Sequence, residues 1–154
     1  DQYEDNPFSH ACAARRILDV SPVFQIGIRN ISEQGDQFRQ SCNRVTTVFS
    51  KESNSPDGTF LKDLADFVRG KHVFLTIDLD GLDPSIMPAV GTPEPGGLLW
   101  DRMLDIARII CENSQSVSLF DVVELAPIPG MIAPDFLAAK LVYKIISYCF
   151  SETI

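Results

Sequence analysis

Several things are scarce or missing in this sequence. No apolar run approaches the ~20 residues that a membrane-spanning helix needs, which excludes a helical bilayer span. Basic residues number 13 against 21 acidic ones, and they do not cluster. A nucleic-acid binder needs grouped positive charge to displace counterions, so that class of partner is excluded as well. There is no Cys-x-x-Cys pair, and Cys12, Cys42, Cys111 and Cys149 have neither zinc-ribbon nor disulfide-framework spacing. Cys111 and Cys149 fall in apolar helical stretches and read as reduced core thiols. Histidine occurs only at His10 and His72, which leaves little material for a Cys–His nucleophile. The acidic start, Asp1-Gln-Tyr-Glu-Asp-Asn-Pro7, has no basic or apolar leader region and is not a signal peptide, so a cytoplasmic location is expected. Asp1 is not an initiator Met, and the expectation is a chain cut from something longer.

What is present is ordinary for a globular domain. The chain has 154 residues, 45% hydrophobic and 22% charged, in keeping with one domain. The net charge of −8 keeps such a chain dispersed, and its field also favours a small cation as ligand.

Two periods alternate along the chain. Ser9 caps an expected helix over 10–19. Val23–Ile28 reads as a strand, 32–43 as loop plus helix, and Val45–Phe49 as a second strand rich in β-branched residues. A Ser/Asn/Pro/Asp/Gly loop is expected over 51–58. Phe60, Leu64, Phe67 and Val68 recur at helical spacing and Gly70 ends that helix. His72–Ile77 is nearly continuous in apolar residues, as in a strand buried on both faces of a parallel sheet. A Pro/Gly-rich segment covers 78–97, a helix 98–112, a fourth strand 117–123 and a last helix 135–149. Four strands alternating with helices predict a parallel α/β sheet, too small for a barrel of eight strands.

The chemistry concentrates in Thr76-Ile-Asp78-Leu-Asp80-Gly-Leu-Asp83-Pro84. Ligands of open α/β sheets bind beyond the carboxyl ends of strands, where Asp78 falls. In an extended backbone residues two apart share a side, so Asp78 and Asp80 would offer two carboxylates to one point. Bare carboxylates at close range in a crevice repel and take up protons, and a hard divalent cation relieves this. The competing reading is a solvated Asp-rich turn that caps the next element.

Asp-x-Asp-Gly after an apolar strand also occurs in haloacid-dehalogenase-like phosphatases, but Leu82 stands where Thr or Val is wanted, and no downstream Lys and acidic pair follows. The stretch from Thr76 to Pro84, continued by Met87-Pro-Ala-Val-Gly-Thr92-Pro-Glu94-Pro-Gly-Gly-Leu98, closely resembles the signature of the ureohydrolases, the arginase and agmatinase family. Glu94-Pro95 is more similar to agmatinases than to arginases. Phe8-Ser-His10-Ala-Cys-Ala-Ala-Arg15-Arg16 resembles the agmatinase His loop, and Phe120-Asp-Val-Val-Glu124-Leu-Ala-Pro127 the family's Glu-x-Asn-Pro segment, with Ala126 in place of Asn. The family's Gly-Gly-Asp-His and Asp-Ala-His-x-Asp motifs are absent, so the chain resembles the C-terminal half of an agmatinase.

The resemblance implies a three-layer αβα fold with a parallel sheet, the arginase-like fold, present only in its C-terminal part. It implies a binuclear Mn²⁺ centre with Asp78 bridging both ions and Asp80 on one, the remaining ligands coming from an absent N-terminal half. A metal-bridged hydroxide would then cleave a small guanidino cation, agmatine first, to urea and putrescine. Glu124 would hold the guanidinium with help from Thr92, His10 would shuttle the proton, and Asp83 would orient the ligand loop from behind. His72 has no role in this pattern, and Arg15 and Arg16 are structural or intersubunit. Relatives assemble as trimers or hexamers, so a homo-oligomer is expected, and the isolated chain should be inactive. The alternatives are a non-catalytic homologue or subunit, or specificity for guanidinobutyrate or arginine.

Overall fold

A computed structural model describes residues 5–150. Asp1–Glu4 of the acidic start lie outside the described residues.

Ser9 accepts a hydrogen bond from the Ala11 amide and starts a 3-10 turn, His10–Cys12, that runs into helix α1, Ala13–Val20. Strand β1, Val23–Ile28, is followed by α2, Glu33–Ser41, which Ser32 caps by accepting from the Gly35 amide. Strand β2 covers Val45–Phe49. The loop expected over 51–58 instead begins as a short helix, α3, Ser50–Ser53. Two of its polar residues turn inward: Ser50 and Ser53 are buried, Ser53 donates to the Ser50 carbonyl, and Asn54 donates to the carbonyls of Gly96 and Gly97. A long-range contact thus supplies the partners that local sequence did not.

Helix α4, Phe60–Val68, buries Phe60, Leu64 and Val68, one turn apart each, and Gly70 at φ 65 leaves it. Strand β3, His72–Asp78, leads into a 3-10 turn, Leu79–Gly81. Helix α5, Trp100–Asn113, buries Met103, Ile106, Ala107 and Ile110 at 3.6-residue spacing. Strand β4, Ser116–Val123, precedes the 19-residue α6, Ile132–Phe150, which carries Pro134 in its first turn, where a missing N–H costs nothing. No helix among the described residues is long and apolar enough to cross a membrane.

All strand pairs are parallel, as expected, but they do not form one sheet. β1 pairs with β2 and β3 with β4, in two separate ladders. The expectation of a single four-stranded sheet is corrected here: the inner edges of β1 and β3 carry no mutual ladder bonds and face each other across a cleft of about 790 Å³. The cleft is lined by 23–30 of β1 and 74–78 of β3, with Met103, Ile106 and Ile110 of α5 among its apolar walls. An apolar cluster packs α4, α5 and α6 against the strands and includes the fully buried Leu64, Leu79, Leu141 and Ile145.

The outer face of α6 remains bare. Ile132, Phe136, Tyr143, Ile146 and Phe150 are exposed, Phe136 at 69% and Phe150 at 81%. Leu119 of β4 is 60% exposed. Contiguous apolar surface and open strand edges favour association. The isolated chain is therefore expected to aggregate, and Phe136→Ser with Phe150→Ser should raise its soluble yield at little cost in stability. Leu141→Ala, inside the core, should instead cost roughly 2–5 kcal/mol by denaturant titration. Equal effects from both would contradict this assignment of inner and outer faces.

Candidate active site

The site forms where β3 and β4 end. Their register places Asp78 opposite Val123, so Glu124 emerges one residue beyond, at the same end of the ladder. Glu124 has φ 68, a conformation sparsely populated by residues other than glycine. That backbone takes Glu124 out of the ladder toward the chain's N-terminal turn. His10 Nδ1 lies 3.9 Å from Glu124 Oε1, with the His10 side chain 85% exposed. The separation is too long for a hydrogen bond, and both side chains are open to solvent.

Asp78 and Asp80 converge by a different route from the extended backbone expected. The Asp78 carboxylate accepts from the Asp80 amide at 2.9 Å and caps the 3-10 turn, so the chain bends there and Leu79 is driven into the core. Asp80 then turns toward the 92–97 segment, where its Oδ2 accepts from the Thr92 amide at 3.2 Å and from the Thr92 hydroxyl. Thr92 thus positions Asp80. Asp80 Oδ1 is buried and has no hydrogen-bond partner.

Asp83 ties the same segment down. It accepts from the Ser85, Gly96 and Gly97 amides at 3.0, 2.8 and 3.2 Å. Leu98 and Gly81 close the loop at its base through Leu98 N–H to Gly81 O, 2.9 Å. Gly97 passes so near that an added Cβ would lie 2.4 Å from the Leu82 carbonyl carbon, so only glycine fits.

Sequence reasoning missed Arg29. Its guanidinium donates to the carbonyls of Gly27 and Gly81, at 3.2 and 3.3 Å, and to that of Asp80. It clamps the carboxylate turn to the end of β1, 51 residues away in sequence from Asp80. Its only local signal is a cation just past an apolar strand. Asp121 was missed too: it lines the cleft on β4 beside Thr76 of β3, and its Oδ1 is buried without a partner. Glu94 also borders the cleft. His72 sits at the far end of β3, in hydrogen-bond contact with Ser116 across the ladder, and Arg15 pairs with Asp19.

The electrostatics suit a cation. Partial loss of hydration inside the cleft pushes the Asp78 carboxyl above its ordinary value, and the charges of Asp80 and Glu124 push the same way; the Asp80 amide and Arg29 oppose them. The orphaned Asp80 oxygen and an all-oxygen donor set fit a hard divalent metal such as Mn²⁺. Among the described residues no group of three or more His, Cys, Asp or Glu gathers as a metal cage.

Comparison with known proteins agrees with this geometry. The Arginase family model matches residues 1–147. An N(1)-aminopropylagmatine ureohydrolase of Synechocystis is 37% identical over 150 residues, covering 96% of this chain and 48% of that protein. An agmatinase of Bacillus anthracis is 31% identical over 83% of this chain and 43% of its own length. Among solved structures, the agmatine ureohydrolase of Thermoplasma volcanium superposes with a TM-score of 0.80 at 29% identity, covering 96% of this chain and 50% of that one. The chain belongs to the arginase family. It has the arginase-like α/β fold and spans about half the length of the relatives it matches.

Asp83 gives a pH test of the loop. Hydrogen bonds from Ser85, through its hydroxyl and then its amide, and from the Gly96 and Gly97 amides lower its pKa from 3.8 to about 2. A carboxylate lowered on folding contributes stability that is fully present above the unfolded value and is lost as pH falls through the folded one. Asp83→Asn should therefore be less stable than wild type at pH 7. The gap should narrow in thermal melts taken from pH 4 down toward pH 2; a constant gap would contradict the role.

Proposed function

We propose that the chain supplies the guanidinium-docking and proton-transfer side of a ureohydrolase site, acting on a small guanidino cation with agmatine preferred over arginine. The observation that carries this is the meeting of Asp78, Asp80, Glu124 and His10 at one cleft mouth. A guanidinium is planar and cationic, and a carboxylate such as Glu124 accepts two parallel N–H bonds from it. His10, 3.9 Å from Glu124, would protonate the departing amine. Thr92 and Asp83 keep Asp80 and its loop in place, and Thr92 remains the candidate for a hydroxyl contact to substrate. Asp78 and Asp80 would hold part of a binuclear Mn²⁺ centre, which when bound supplies an activated water and neutralises the carboxylates. The other ligands come from polypeptide beyond this chain, so the chain alone is expected to release no urea. A decarboxylated substrate needs no donors for an α-carboxylate, and the Glu94-Pro95 resemblance to agmatinases supports agmatine. In the same reading the complete protein is a cytoplasmic homo-oligomer.

The decisive experiment measures metal content and urea release in the complete protein. His10→Asn should keep its Mn²⁺ and slow turnover by roughly 10²–10⁴-fold. Glu124→Gln should keep metal and weaken substrate capture, while Asp78→Asn should lose metal and nearly all activity. Faster urea release from arginine than from agmatine, or metal loss in His10→Asn, would overturn the roles. Asp78→Asn carries a second, opposite sign. The amide retains the acceptor for Asp80 and removes a desolvated charge, so the metal-free protein should melt at a higher temperature than wild type at pH 7.

A further inference from the structure

Away from the cleft, two of the four cysteines meet. Cys111 stands near the C-terminal end of α5 and Cys149 near that of α6, 38 residues apart, with their sulfurs 3.2 Å from each other. Both are partly exposed, and all four thiols are free. Cys12, by contrast, is buried, with its sulfur turned to the Asn6 carbonyl. We propose that Cys111 and Cys149 are a reversible dithiol–disulfide pair that staples α5 to α6 when the protein meets a low-molecular-weight disulfide such as glutathione disulfide. This reading is independent of the proposed hydrolase chemistry.

Three features support it. The sulfurs need to close by only about an ångström to reach bonding distance. Both cysteines are partly exposed, and cations stand nearby: Arg108 of α5, which also pairs with Asp105, and Lys144 of α6 both lie over the ring of Tyr148, next to Cys149. Burial first, then the hydrogen bond and charge of Cys149 and the charge of Glu112, push the Cys111 thiol up to about 12, so Cys111 stays protonated at neutral pH and the exchange is written from Cys149.

The chemistry balances in two exchanges. The Cys149 thiolate attacks one sulfur of RSSR, forming Cys149–S–S–R and releasing RS⁻, which takes up the proton that Cys149 lost. Cys111, deprotonated as it attacks, then displaces the second RS⁻ from Cys149. Two protein thiols are oxidised and one RSSR is reduced to two RSH. The product closes a loop that contains β4 and Glu124, restricting the unfolded chain and fixing α5, whose other face lines the cleft.

The test is thiol trapping on the protein as the cell makes it. Aliquots taken before and after exposure to glutathione disulfide are blocked with N-ethylmaleimide, and their digests are mapped without reductant. The expected result is a peptide joining Cys111 to Cys149, regained thiols after dithiothreitol, and a melting temperature raised by on the order of 10 °C in the oxidised form. Cys111→Ser should stop at a mixed disulfide on Cys149, while Cys42→Ser should leave the cross-link unchanged. The proposal fails if all thiols persist under excess glutathione disulfide, if the cross-link joins Cys12 or Cys42, or if it forms only after denaturation.

Discussion

The parallel pairing of β3 with β4 is the constraint on which the site depends. A parallel ladder brings the carboxyl ends of both strands to the same edge, and the register Asp78↔Val123 makes Asp78 and Glu124 near neighbours although they lie 46 positions apart in sequence. A shift of one residue in that register would turn every side chain of β4 to the opposite face and carry Glu124 away from His10. The buried strand and helix residues behind the ladder, Ile77, Leu79, Met103 and Ile110 among them, hold that register because only one alternation buries them.

Past the ladder, the site is a problem of gathered negative charge. Burial raises the Asp78 pKa first, the charges of Asp80 and Glu124 add to it, and the fold relieves this only in part. Arg29 satisfies backbone carbonyls of the turn and adds a positive charge nearby, while Thr92 occupies one oxygen of Asp80. Asp83, fully engaged by amides, works in the other sense: it is stabilised as an anion and spends that stability on holding the loop. Asp80 Oδ1 and Asp121 Oδ1 both stay buried without a hydrogen-bond partner.

The division into two ladders fits a chain that spans about half of its relatives. The helices that pack beneath the strands still build one apolar cluster, and the bare inner edges of β1 and β3 leave a deep cleft between the ladders. The site therefore has a wall and a mouth, both set by the two ladders and the helices beneath them.

Local pattern alone determined the order and type of nearly every element, because burial period and capping residues act over a few positions: Ser9 and Ser32 at helix starts, Gly70 after α4, the apolar run of β3. It also determined that Asp78 and Asp80 lie at a strand end and that the Thr76–Leu98 stretch resembles ureohydrolases. Tertiary structure decided what distance in sequence hides. It turned the polar 50–53 segment into a helix by providing Gly96 and Gly97 as partners, brought Arg29 to Asp80 and Thr92 onto the Asp80 carboxylate, and drew Glu124 toward His10 through a left-handed backbone. It also paired Cys111 with Cys149, which as isolated letters read as inert core thiols. Each of these contacts joins residues whose separation is set by how whole helices and ladders pack, and packing depends on the summed shape of many side chains, which no short stretch of sequence contains.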